Sequence, residues 1–379
     1  MIINRLIDLK GLLKLNSFFL FGPRGTGKSF WIRHSLPGVK IFDLLDADVY
    51  GRLLRRPRQL GEEIVKQDRI VIIDEIQKLP VLLDEVHRLI ETGGIKFLLT
   101  GSSARKLRHS GVNLLAGRAW EAAFYPLCAR EIPDFDLPRY FNRGGLPRAW
   151  LSASPAEELK NYARLYLSEE IKAEALARKV DNFVRFLDVM ALQNGKEMHY
   201  ANVSSDAGVP ARTVENYLQI LKDTLIGFDV LPFLASRRRK AITRSKFYFF
   251  DVGVANELAR RGEVLPGSAA FGECFEHWLM TELRAYLGLH RRGELMQYWR
   301  TKTGLEVDLI VGEKLALEFK ATRQVLDRHL KGLKALREEG LVKDFAVVSL
   351  DPVLREVDGI KIYPWAGFIK ALWDGKLLK

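Results

Sequence analysis

"SFFLFGPRGTGKSFWIRHSL", residues 17–36, reads as an apolar strand, a glycine loop and a helix in immediate succession. Within it, Gly22-Pro-Arg-Gly25-Thr26-Gly27-Lys28-Ser29 fits the pattern G-x-x-x-x-G-K-[ST] in the strand–loop–helix context that the pattern requires. Glycines let backbone N–H groups curl around phosphates, and the helix that follows offers its positive end. The spacing assigns Lys28 to the outer phosphates and Ser29 to Mg²⁺, with Gly22, Gly25, Thr26 and Gly27 as the cradle.

"RIVIIDEIQKLP" (69–80) supplies the acids that such a cradle needs. Four apolar residues, Ile70 to Ile73, have the continuous pattern of a buried parallel strand ending in Asp74 and Glu75. Asp74 is expected to hold magnesium through water and Glu75 to polarise the attacking water. "IKFLLTGSS" (95–103) ends in the hydroxyls Thr100, Ser102 and Ser103, which suit either γ-phosphate sensing or the capping of a strand-ending turn. "LLAGRAWEAAFYPL" (114–127) places Arg118 at the start of a further strand.

On these motifs, residues 1–150 resemble the AAA-type P-loop ATPases of prokaryotes. The resemblance implies ATP and Mg²⁺ as cofactors. It also implies a homo-oligomer, because Arg118 stands where such proteins present an arginine finger to a neighbouring subunit; a surface arginine is the alternative. "GGLPRAW" (144–150) resembles the GxP element of the STAND subgroup, which packs a proline, here Pro147, near the adenine. Arg148 lies close to where ring-forming relatives carry a sensor arginine, so both subgroups stay open.

At 379 residues the chain exceeds one ordinary core. An apolar fraction of 47% with 28% charged residues excludes a disordered chain. No run of about 18 apolar residues exists, and the start lacks a signal-peptide layout, so a cytoplasmic protein with no membrane partner is expected. Cys128 and Cys274 lie far from each other, with no second Cys at metal-ligand spacing, and read as buried small hydrophobes. A net charge of +12 points to a polyanion partner, nucleic acid and DNA foremost.

Residues 151–188 are helical in period and rich in charge, as a lid or connector would be. In 189–255, "HYANVSSDAGVPARTVENYLQILKDTLIGFDVLPF" gives a short helix, a turn at Gly208-Val209-Pro210, and a second helix burying Val214, Leu218 and Leu221. Arg212, Thr213, Asn216 and Gln219 fall on its outward face, where a recognition helix meets DNA. "LASRRRKAITRSKFYFFD" follows, with Arg237, Arg238, Arg239, Lys240, Arg244 and Lys246 and no acid before its last residue. Between two strands it reads as the basic wing of a winged helix, suited to a phosphate backbone. A protein-interaction module, an ATPase lid or a solvated loop gives the same pattern.

Residues 256–379 change character again. "FGECFEHWLMTELRAYLG" (271–288) has Phe275, Trp278, Leu279 and Leu283 on one side of a helix. "LEVDLIVGEKLALEFK" (305–320) gives two strands joined at Gly312, with Leu305, Val307, Leu309 and Val311 on one face and Glu306 and Asp308 on the other. Leu317 and Phe319 oppose Glu318 and Lys320 in the same way. Helix, acid-bearing strand pair, helix and strand resemble the PD-(D/E)xK nuclease core, with Asp308 as its D, Glu318-Phe-Lys320 as its E-x-K, and Glu276 as an additional glutamate. Two carboxylates on neighbouring strands suit Mg²⁺, or Mn²⁺, and Lys320 on the same face suits positioning or deprotonating a water. Two other readings accompany this one: a nuclease-like fold used only to bind, and a solvated hairpin carrying weak surface ion pairs. The fold class expected is α/β multidomain: a P-loop ATPase with a parallel sheet, a winged helix, and a restriction-endonuclease-like C-terminal domain.

Overall fold

β1 (Ser17–Phe21) is buried along all five residues and is an interior strand of a parallel sheet. Its companions are β2 (Lys40–Asp43), β3 (Ile70–Asp74), β4 (Lys96–Gly101) and β5 (Ala119–Ala123), in the order β2-β3-β4-β1-β5. The computed structural model describes residues 2–103, 105, 107, 115, 117–166, 180–235, 239 and 241–378. Two compact units divide the chain, Ile2–Tyr125 with Ile220–Ile226, and Pro126–Gln219 with Gly227–Lys379. In the first unit, Phe19, Ile73, Leu83, Val86, Phe97 and Leu99 belong to one continuous core. Burial on both faces is why these strands read as unbroken apolar runs. Phe18 pairs with Leu98 and Ile73 with Leu99, so the C-terminal ends of β1, β3 and β4 reach one edge together. That edge is where open parallel sheets bind ligands.

The first unit stops at Tyr125, short of the 1–150 span expected from sequence, because residues 126–150 pack within the second unit. Asp251 caps the helix Val252–Leu258, accepting from Val254 N–H at 2.9 Å, and also accepts from Gly145 N–H at 2.6 Å. A Cβ at Gly253 would lie 2.7 Å from Gly144 N, so only glycine permits this approach. "GGLP" and "FDVG" are therefore two halves of one backbone contact. Burial lifts the Asp251 carboxyl to about 6, against its backbone hydrogen bonds.

The second unit holds an eight-stranded mixed sheet in the order β12-β13-β11-β10-β9-β8-β6-β7. Its strands are β6 (Gly227–Pro232), β7 (Lys246–Phe249), β8 (Met296–Arg300), β9 (Glu306–Val311), β10 (Leu315–Lys320), β11 (Asp344–Ser349), β12 (Arg355–Val357) and β13 (Ile360–Pro364). The helices Val180–Leu192, Tyr200–Ala207 and Ala211–Asp223 precede the antiparallel hairpin β6–β7. This hairpin does not stand free, as a separate wing would. β6 pairs in parallel with β8 at Leu231–Gln297 and Pro232–Tyr298, joining it to the C-terminal sheet.

Two expectations for this region need correcting. The helix Ala269–Leu289 is buried on most sides, at Cys274, His277, Met280, Glu282 and Ala285 as well as the anticipated face, so it is an interior helix. The strict alternation read along β9 is also interrupted. Gln297 faces Ile310 but Trp299 faces Val307, a step of two on β8 against three on β9. The extra residue falls at Asp308–Leu309, and Val307 and Ile310 accordingly enter the same core. The helix Lys331–Arg337 lies so close to β9 that a Cβ at Gly332 would sit 1.8 Å from Glu306 O. No helix among the described residues is long and apolar enough to cross a membrane.

Candidate nucleotide site and acidic centre

The cradle forms at the end of β1. Gly25 and Gly27 have φ of 76° and 88°, left-handed values that favour glycine, and Gly27 caps the helix Lys28–Ser35. A Cβ at Gly22 would lie 2.3 Å from Phe124 O. Lys28 is buried, and its ammonium donates to Gly22 O and to Pro23 O, the latter at 3.0 Å. Thr26 Oγ1 donates to Pro23 O at 2.8 Å, and Arg5 donates to Thr26 O at 2.9 Å. Arg5 thus ties down the loop from the chain start, a role that no local pattern announces.

The acids of β3 lie buried beside it. Thr100 Oγ1 donates to Asp74 and accepts from Glu75 N–H at 3.3 Å, which gives Thr100 a role in orienting both acids. Glu75 has φ 61°, a strained value for a non-glycine residue. Gln77 Nε2 donates to Glu75 and, at 3.3 Å, to Ser102 Oγ, so Gln77 is a site residue that sequence reasoning missed. Burial raises the Glu75 carboxyl above its usual range; Lys28 opposes the shift and Asp74 adds to it. A raised carboxylate suits proton abstraction. Ser103 spends its hydroxyl on Asp223 O at 3.0 Å, the turn-capping alternative. Ser29 is half-buried in the first turn of the helix. Ser29 and Asp74 are oxygen donors of the kind that Mg²⁺ takes.

In the second unit β10 pairs with β9 as far as Leu317 and Leu309, and Glu318 and Asp308 are the next residues along the two strands. Both are buried, at 7% and 6% exposure, which removes the solvated-hairpin reading. Asp308 Oδ2 accepts from Phe319 N–H at 2.8 Å. Lys320 Nζ lies 2.6 Å from Glu318 Oε1 and 3.7 Å from Asp308 Oδ2. Glu318 Oε2 is buried with no hydrogen-bond partner among the described residues. An unpartnered buried carboxylate oxygen is costly unless a cation or water meets it, so this pair fits a divalent ion. Burial, then Asp308, pushes the Glu318 carboxyl well up, while Lys320 opposes the shift. Burial disfavours the Lys320 ammonium, but Asp308 and Glu318 outweigh it and raise its pKa. Lys320 is therefore held as the ammonium between these two acids.

Glu276 belongs to the same centre and accepts from Tyr248 O–H at 2.6 Å. Lys246, grouped by sequence with the basic wing, is instead 5% exposed. Its Nζ lies 2.7 Å from Glu306 and 3.6 Å from Glu276. Among the described residues no group of three or more His, Cys, Asp or Glu is poised around one point for a metal.

The remaining expected residues scatter. Arg212 and Asn216 are exposed and Thr213 half-buried on the helix Ala211–Asp223, whereas Val214 and Leu218 are buried as anticipated. Arg239 is engaged by Glu338 and by Glu339, the latter at 3.1 Å, and donates to Ala335 O at 3.0 Å. It is therefore tied to its own unit rather than held out for a phosphate. Arg237, Arg238 and Lys240 lie outside the described residues. Arg118 pairs with Glu91. Pro147 begins the helix Pro147–Leu151 immediately after the glycines that meet Asp251.

Comparison with known proteins divides the chain similarly. Residues 15–133 match the family model described as an AAA domain. Residues 134–264 and 271–367 match two domains of unknown function, DUF8612 and DUF4143. An uncharacterized protein of Mycobacterium tuberculosis is 24% identical over 263 residues, covering 67% of this chain. The chain spans 59% of the length of that relative. An uncharacterized protein of Methanocaldococcus jannaschii is 23% identical, with 88% of this chain and 76% of the relative covered. Among solved structures, the replication initiator DnaA bound to AMPPCP and single-stranded DNA is 11% identical, covering 58% of this chain and 90% of that one, with a TM-score of 0.31. A STAND protein from Pyrococcus horikoshii gives 13%, 76% and 49%, with a TM-score of 0.21. Scores this low bear on neither architecture nor activity. The N-terminal unit, with its parallel sheet, thus resembles AAA-type P-loop domains, and a mixed sheet follows it.

Proposed function

We propose that the chain hydrolyses ATP in its N-terminal unit and cuts a nucleic-acid backbone, DNA foremost, at the acidic centre of its mixed sheet. One observation carries the second half: Asp308 and Glu318 are buried around one ammonium, Lys320 Nζ lying 3.7 Å and 2.6 Å from them, and Glu318 Oε2 lacks a hydrogen-bond partner among the described residues. Asp308 and Glu318 would hold the ion. The chemistry that magnesium would supply there is an activated water and neutralisation of charge on the scissile phosphodiester. Lys320, kept protonated, orients that water or steadies the leaving oxygen. In the N-terminal unit Lys28 contacts the outer phosphates, Ser29 and Asp74 would hold magnesium, and Glu75, braced by Gln77, takes the proton of the attacking water. Arg118 would act in trans within a homo-oligomer. Arg212, Thr213 and Asn216, on an outward helix face, would meet DNA.

A second reading keeps the nucleotide switch and uses the sheet only to bind. It is favoured by the ammonium of Lys246 amid the acids and by the lack of a three-acid metal group among the described residues. Labelled single-stranded, duplex and branched DNA and RNA, incubated with Mg²⁺ or Mn²⁺ and with or without ATP, separate the two. The nuclease reading expects metal-dependent nicks that vanish in EDTA and in Asp308→Ala. If wild type and Asp308→Ala leave every substrate intact, the binding reading stands.

A further inference from the structure

The acidic centre already holds a cation from outside the C-terminal segment. Lys246 opens β7, ahead of residues 271–367, and its ammonium sits 2.7 Å from Glu306 Oε1 and 3.6 Å from Glu276 Oε1. The strand delivering it is clamped: Met198 N–H donates to Ser245 O and Gly195 N–H to Phe247 O, both at 2.8 Å. The Lys246 ammonium also lies 5.1 Å over the Tyr298 ring, which favours a desolvated cation. Two residues along the same strand face, Tyr248 O–H donates to Glu276.

Charge decides what else the centre accepts. Glu276, Glu306, Asp308 and Glu318 bring four negative charges when ionised, and Lys246 and Lys320 bring two positive ones. Arg300 lies 3.1 Å from Glu197 and 3.7 Å from Glu306, and the Glu197 carboxylate offsets its charge. Two negative charges remain, the charge of one divalent ion. Glu276 and Glu306 already have partners in Tyr248 and Lys246, whereas the unpartnered buried oxygen belongs to Glu318.

We propose that Lys246 is a built-in second cation, which neutralises Glu276 and Glu306 and restricts the centre to a single divalent ion held by Asp308 and Glu318. Lys246 is thus a positioning residue. The inference rests on the metal reading above, and it makes the centre composite: the segment 271–367 supplies the acids, and the hairpin before it supplies the cation.

Calorimetric titration of the nucleotide-free full chain with Mn²⁺ tests this. One ion per chain is expected for wild type and for Lys246→Arg, and none for Asp308→Ala. Lys246→Met should bind a second ion, or bind the first about tenfold more tightly or better, because the centre then carries an extra negative charge. Glu306→Gln, which keeps every other group, should weaken the ion about tenfold, so the idea stays testable if Lys246→Met fails to fold. Wild-type stoichiometry and affinity in Lys246→Met, or in Glu306→Gln, overturn the role of Lys246 while leaving the metal site standing. A wild type that binds no Mn²⁺ and matches Asp308→Ala overturns both.

Discussion

Lys28→Ala lowers ATP turnover by roughly a hundred- to thousandfold, the scale for losing one fixed charge from a preorganised site. The ammonium is buried and donates to Gly22 O and Pro23 O, so it is aimed into the loop that would carry the phosphates. A second effect compounds the first. Lys28 is the first of the groups, ahead of Gln77 and Arg24, that restrain the upward shift of the Glu75 carboxyl, so removing it leaves Glu75 protonated to higher pH. The residual rate should therefore reach its plateau at higher pH than in wild type. Thermal unfolding should change little, because the core of the sheet, with Phe19, Ile73 and Leu99, is untouched. Undiminished turnover in Lys28→Ala would mean that the cradle is misread.

Gly332→Ala has the largest expected structural effect. Its Cβ would meet Glu306 O at 1.8 Å and Glu306 C at 2.9 Å, and both are backbone atoms. β9 cannot retreat, since it is hydrogen-bonded to β8 on one side and to β10 on the other. The helix Lys331–Arg337 must move instead, pulling the fully buried Leu333 and Leu336 out of register with Ile310 and Val347. Overpacking of this kind costs about 3 kcal/mol or more in urea unfolding. Nucleotide binding should survive, because the cradle lies in the other unit. Gly272→Ala is the control: it lies in the helix Ala269–Leu289 with open space around it, and alanine there should stabilise by about 0.5–1 kcal/mol. Equal stability of Gly332→Ala and wild type would show that the helix packs less closely on β9 than described.

The nucleotide cradle was legible because its chemistry is local. Gly22 to Ser29 must be contiguous, and Asp74 and Glu75 must end an apolar strand. Asp308, Glu318 and Lys320 were legible through period two, although the pattern did not tell a solvated face from a buried one. What it missed is non-local. Lys246 was lost in the basic run from Arg237, yet "KFYF" alternates Lys246 and Tyr248 against Phe247 and Phe249, a strand signal that separates it from the loop arginines. The extra residue in β9 leaves no mark on composition. Nor does the pairing of β6 with β8, Leu231 with Gln297, which joins the hairpin flanking the expected wing to the mixed sheet. The "GGLP" glycines were read as a nucleotide element, whereas what the structure shows for them is close packing against Asp251 and Gly253.

Whether Asp308 and Glu318 share one divalent ion is the point on which the hydrolase depends. Anomalous diffraction from crystals of the full chain soaked in Mn²⁺ measures it directly. One peak is expected within about 2.0–2.3 Å of oxygens of both carboxylates, next to the Lys320 ammonium. No peak there, or one bound to Glu276 and Glu306 with Lys246 displaced, would contradict it.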